Sequence, residues 1–148
     1  ASTYKGLAAI WTQTTATVVA VRRTKWFEII IGATTAPNAT DCAIQVDVSR
    51  LASTTSIAGT SFTPNPLDPA DGAAIAASIT NSTTEAAAAL ISTQLLNFGI
   101  NQRATTRWVA SQESQYLTAP ATNLNGLYLR GLSATYAAAL SGQVTYME

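Results

Sequence analysis

Residues 42–51 alternate in character one by one. Cys42, Ile44, Val46 and Val48 fall on one parity, and Ala43, Gln45, Asp47 and Ser49 on the other. Successive side chains of an extended chain point to opposite faces, so the pattern predicts a strand with one face in a core. Its neighbours carry the same signal. Residues 14–21 are largely β-branched and residues 25–31 hold Trp26, Phe27, Ile29, Ile30 and Ile31, side chains that pack well on a pleated surface. Arg22, Arg23 and Thr24 form a polar connector or the start of the second strand.

The β signal persists towards the C-terminus. Residues 101–110 read as a strand around Thr105, Thr106, Arg107, Trp108 and Val109, and residues 116–118 as a short segment before Pro120. Residues 127–132, 133–139 and 142–147 continue the series, the last with Val144 and Tyr146 alternating against Gln143, Thr145 and Met147. Turns are marked by Pro37 with Asn38 and by Asn123, Asn125 and Gly126. Between residues 62 and 72 stand Pro64, Pro66 and Pro69, which rule out a central strand and predict a stiff extended loop with at most one helical turn at Pro69. Residues 53–61 fit a loop or a weak strand. Two stretches stay open: residues 73–81, where alanines compete with Ile75 and Ile79 at helical spacing, and residues 83–95, which suit a helix or a β-hairpin equally. The expectation is a mainly β fold, a β-sandwich or jelly roll with at most one or two short helices.

Residues 1–13 mix Tyr4, Leu7, Ile10 and Trp11 without a clear period. A free tail has no use for a tyrosine and a tryptophan, so this segment reads as an extended N-terminal arm that docks on its own fold or on a neighbour. The division is an arm over residues 1–13 and a single β-sandwich domain over residues 14–148.

Composition excludes more than it selects. Charged residues make up 11% of the 148 residues, with eight Lys and Arg against eight Asp and Glu, so no net field draws the chain to nucleic acid or to an acidic membrane. There is no histidine, which removes the commonest general base, the commonest transition-metal ligand and the Ser-His-Asp and Cys-His arrangements. Cys42 is the single cysteine and reads as a small buried core residue. No basic-then-apolar signal layout opens the sequence, and no apolar run is long enough to span a bilayer. Asn65, Asp68 and Asp71 offer oxygen ligands but miss the spacing of a Ca²⁺ loop, and the glycines never cluster into a phosphate cradle. Neither a metal nor a cofactor is expected. Glu28 and Glu113 are the carboxylates a histidine-free glycosidase would use, and nothing in the sequence brings them together. Trp11 with Gln13 and Tyr116 with Gln115 are the pairs a carbohydrate-binding site would draw on.

Arg103 and Arg107 stand four apart beside Trp108. On one regular strand both guanidiniums would leave the face opposite the indole and be free to hold a partner, a role in which Arg and Trp are enriched. Four phrases in order, Trp26-Phe27-Glu28-Ile29, Asp47-Val48-Ser49-Arg50, Thr63-Pro64-Asn65-Pro66-Leu67-Asp68-Pro69-Ala70-Asp71, and Asn101-Gln102-Arg103-Ala104-Thr105 with Arg107-Trp108, resemble the decoration, or cement, proteins of tailed-bacteriophage heads and related minor head proteins. The resemblance runs from Trp26 to the C-terminus, and residues 1–25 carry no matching motif. It implies a β-sandwich or jelly roll on the outside of a virion, made in the host cytoplasm. The domain would bind the major capsid protein, associate with itself as a trimer and clamp neighbouring capsomers against the pressure of packaged DNA. On that reading the chain is no enzyme, Arg50, Arg103 and Arg107 make polar contacts, and Tyr4, Leu7 and Trp11 dock the arm. The alternative is a carbohydrate-binding β-sandwich for host-surface adhesion.

Overall fold

The computed structural model describes residues 4–13, 22–55, 57–134 and 139–148. The strand expected over residues 14–21, and most of the one expected over residues 133–139, lie outside them. Ten strands run through the described residues: β1 (Tyr4–Trp11), β2 (Lys25–Ala33), β3 (Ala43–Leu51), β4 (Ala58–Phe62), β5 (Ala77–Thr84), β6 (Ile91–Asn101), β7 (Thr106–Val109), β8 (Leu117–Thr118), β9 (Gly126–Leu132) and β10 (Leu140–Met147). They form two sheets, one ordered β4-β5-β1-β9-β3-β6 and one ordered β10-β2-β7, with β8 also pairing β2. Every pairing is antiparallel.

The two sheets share one core, which makes the fold a mainly β, two-sheet sandwich. Ile44, Val46 and Val48 of β3, Leu127 and Leu129 of β9, and Ile10 of β1 meet Trp26, Ile29 and Ile31 of β2. Full burial of an aliphatic side chain of this size is worth about 1.5–3 kcal/mol, so this cluster supplies the main driving force for closing the sheets. Trp26 and Ile29 are of opposite parity, yet both face inward. The register against β10 slips between Glu28 and Trp26, leaving Phe27 as the extra residue of a β-bulge.

Part of the large sheet's outer face is buried as well. Ala9, Leu51, Ile79 and Tyr128 form a second cluster there, with Trp11, Leu90 and Ile91 packed against it. Across residues 83–95, open between helix and hairpin, the chain is strand, then a single 3-10 turn (Ala88–Leu90), then strand. No α-helix occurs among the described residues. The alanines of residues 86–89 sit between two strands whose ladders capture the flanking residues, and those pairings outweigh alanine's helix preference. Residues 73–81 resolve the same way, into the approach to β5 and its first half.

Of the two dockings open to the N-terminal segment, residues 4–11 take the one on their own fold, and as an integral strand rather than an arm: β1 lies inside the large sheet, paired to β5 on one side and β9 on the other. A bulge at Leu7 shifts its register between Gly6 and Ala8, and this break hides the strand's alternation from a sequence reading.

Candidate functional site

Residues 101–110 are a crossover between the sheets. β6 ends at Asn101, a turn follows, and β7 begins at Thr106 in the other sheet. Arg103 and Arg107 therefore do not share a strand face, contrary to the alternation argument. Arg103 sits in the turn, its Nε donating to Asp41 Oδ1 at 2.5 Å and its Nη2 to the Asn38 carbonyl at 3.3 Å. Arg107, on β7, donates from Nε to Glu28 Oε1 at 2.5 Å on the adjoining β2. Trp108 is half-buried against the main core, as its parity required. The Arg107 guanidinium, then the Thr145 hydroxyl, hold the Glu28 carboxyl below the usual carboxylate range, and Arg103, then Gln102, do the same for Asp41.

Gln102 organises this corner. It is buried, and its Nε2 donates to the carbonyls of Asn38 and Thr40 and to Asp41 Oδ1, at 3.1–3.3 Å. Its Oε1 accepts from the Asn38 backbone N–H at 2.9 Å and from the Cys42 thiol at 3.4 Å. Cys42 is half-buried and serves this network.

Arg50 turns its Nε to the Thr118 carbonyl at 3.1 Å, tying β3 to β8. Tyr4, Leu7 and Trp11, expected on an arm, are built into the sheet. Leu7 packs on the main core and Trp11 on the outer cluster, while Tyr4 belongs to a polar array on the outer face. At the centre of that array is Asp47, 0% exposed. Arg130 of β9 grips it with two hydrogen bonds, Nε to Oδ1 at 2.9 Å and Nη2 to Oδ2 at 2.6 Å, and Gln94 Nε2 adds a third at 3.3 Å. The Arg130 guanidinium lies 4.2 Å from the Tyr4 ring centroid, a cation–π contact that caps the pair from outside. Beside it, Glu85 Oε2 accepts from the Tyr128 hydroxyl and from the Gly6 backbone N–H at 2.8 Å, with Lys5 Nζ 3.7 Å from Oε1. Burial, then the Glu85 carboxylate, pushes the Tyr128 hydroxyl up to about 12. Tyr4 is raised by burial first and by the Asp47 charge second. Tyr4, Tyr128, Arg130 and Glu85, with Ile91 and two alanines, line a depression of about 290 Å³.

The remaining candidates have other tasks. The Glu28 carboxyl, lowered by Arg107, does not suit the general acid of a carboxylate pair, which needs a raised pKa, and Glu113 lies exposed in a 3-10 turn. Asp68 accepts from the Ala70 N–H at 2.9 Å and caps a turn. Tyr116 stacks against Phe27 with ring centroids 5.6 Å apart, and Gln115 Oε1 is taken by Ser111.

Sequence reasoning missed Arg130, Tyr128, Glu85 and Gln102 as residues of consequence. Arg130 has the parity opposite to Leu127 and Leu129, and an arginine on a strand face away from the core is ordinarily solvated; which acid it meets depends on the pairing of β9 with β3. Fold and clusters together define a histidine-free, two-sheet antiparallel β protein whose ion pairs are internal to the fold. No family model, curated protein or solved structure matches the chain.

Proposed function

We propose that this chain is a structural protein of a virion, held on the outside of a tailed-phage head by contacts with the major capsid protein and with its own copies. The observation that carries the reading is the loop between β4 and β5. Every residue from 65 to 73 is exposed, and Leu67 presents 79% of its surface to solvent. Pro64, Pro66 and Pro69 stiffen the loop, and the Asp68 turn, with the Asp71 N–H donating to the Asp68 carbonyl at 3.0 Å, braces its tip. A rigid loop gives up little entropy when it docks, so an exposed leucine mounted on one suits a partner's apolar pocket. This loop is also the longest phrase of the resemblance. Charged residues make up only 11% of the chain, in keeping with charge depletion at interface cores, although Asp68 and Asp71 stand in the loop itself.

Mixing the purified protein with undecorated phage heads tests the reading. Saturable binding, weakened at least tenfold by Leu67→Asp with the fold intact, is the expected outcome, and absence of saturable binding removes the proposal. Light scattering tests the trimer that the resemblance implies. The depression between Tyr4, Tyr128, Arg130 and Glu85 favours one second reading, a carbohydrate-binding module, because it sets aromatic and polar groups side by side. A glycan array without a hit eliminates it.

A further inference from the structure

β6 closes one side of the large sheet, and among the described residues its outer edge pairs with nothing. It is eleven residues long, and it holds neither a charged residue nor a proline. Exposed edges are ordinarily blunted by brevity, by lysine or by proline, because unpaired N–H and C=O groups recruit another strand. The bulges in its pairing with β3 fall in the N-terminal half, around Gln94 and Leu95, whereas residues 96–101 are in regular register. Along that regular half Leu96 and Phe98 point to the core side, opposite Val48 and Val46, yet stay only half-buried. Among the described residues, no strand beyond β6 covers them.

We infer that the residue 96–101 half of β6 pairs antiparallel with the same segment of a second copy, extending the six-stranded sheet across a two-fold axis. This rests on the reading that the chain associates with itself, and it names the surface. The segment is complementary to itself. With Phe98 opposite Phe98, Leu96 lies against Ile100 of the other copy on the core side, closing the open margin of both cores. On the outer side Asn97 lies over Gly99, where a side chain would meet nothing within 4 Å. A strand free of charge also brings no like-charge clash against itself. The axis joins copies in pairs, whatever other surface gathers them in threes.

The test uses the outer positions 97 and 99, which are exposed and do not hold the fold. The double variant Asn97→Lys/Gly99→Lys sets two ammonium groups directly opposite each other at two places across the axis. By light scattering the wild-type chain is expected at an even multiple of the chain mass and the double variant at half that mass, with unchanged circular dichroism. Adding a Gly99→Glu copy restores the larger species, because the carboxylate at 99 faces the ammonium at 97 of the other copy. A double variant that keeps the wild-type mass, a wild type of odd multiplicity, or a failed rescue overturns the pairing. The two ideas fail separately. A chain that binds heads but does not pair through β6 refutes only this contact, and one that pairs through β6 but ignores heads refutes only the virion reading.

Discussion

Replacing Arg130 with leucine strips Asp47 of its partner while keeping most of the apolar bulk over the sheet. Asp47 is 0% exposed and would retain no cation, only the Gln94 amide at 3.3 Å and the neutral Tyr4 hydroxyl. The Arg130 side chain is itself only 12% exposed, so water cannot readily take its place. Removing one member of a buried pair costs about 3–5 kcal/mol, because an uncompensated charge is left in a poorly solvated site. At about 2–4 °C per kcal/mol for a chain of this size, Arg130→Leu lowers the melting temperature by about 6–20 °C. Urea titrations at pH 7 followed by tryptophan emission give the free energy directly, Trp26 being fully buried. Adding Asp47→Leu removes the orphaned charge, and the double variant is expected within about 2 kcal/mol of wild type, since apolar replacement of a whole buried pair is often neutral or stabilising. The discriminating quantity is the coupling between the two changes. If Arg130→Leu costs under about 1 kcal/mol, as loss of an exposed pair would, or if the double variant is worse than the single, Asp47 is not the buried, dependent charge described.

Three further outcomes can be measured on the same material. Leu124 adopts φ 64° in the turn before β9, a conformation that costs an L side chain about 1–2 kcal/mol and that asparagine tolerates better, so Leu124→Asn is expected to raise stability in chemical denaturation by about 0.5–1 kcal/mol. Gly6→Ala drives a methyl into the Tyr128 hydroxyl and Ser82 Oγ, an overpacking worth about 1–3 kcal/mol; Tyr128→Phe removes one of the clashing atoms, so the double variant should lose less than the two single losses combined. The lowered pKa values of Glu28 and Asp41 mean that the unfolded chain binds more protons in the acid range. Their stabilisation is complete above the ordinary carboxylate pKa and is lost as pH falls through the lower folded values, so Glu28→Gln should lower the neutral plateau of a stability–pH curve and flatten its acid limb.

Strand existence was legible wherever period 2 runs unbroken. β3, β9 and β10 fall where Ile44 to Val48, Leu127 to Leu129 and Val144 to Tyr146 alternate, and β2 where β-branched and aromatic residues crowd. β1 was illegible for a definite reason. The bulge at Leu7 inverts parity midway, so Gly6 and Ala9 face the outer side while Ala8 and Ile10 face the core. The crossover at residues 101–105 hid differently. Arg103 and Arg107 are an even number apart, and the count holds only if the chain stays extended between them. Gln102, drawn in by Asn38, Thr40 and Asp41, bends it there, through partners some sixty residues away in the chain.

Sequence alone determined the class of fold and the chemistry on offer: a β-rich chain without histidine, with few and balanced charges and a proline-stiffened loop. Those properties depend on local backbone preference and on which atoms are present, and neither needs a neighbour to be known. Tertiary structure alone decided which charges meet, that Asp47 is buried by Arg130 and Tyr4, and that β6 has an open edge among the described residues. An ion pair and an unpaired edge are properties of strand order, and strand order follows from which sheet buries the most apolar surface, a competition settled by the whole chain at once.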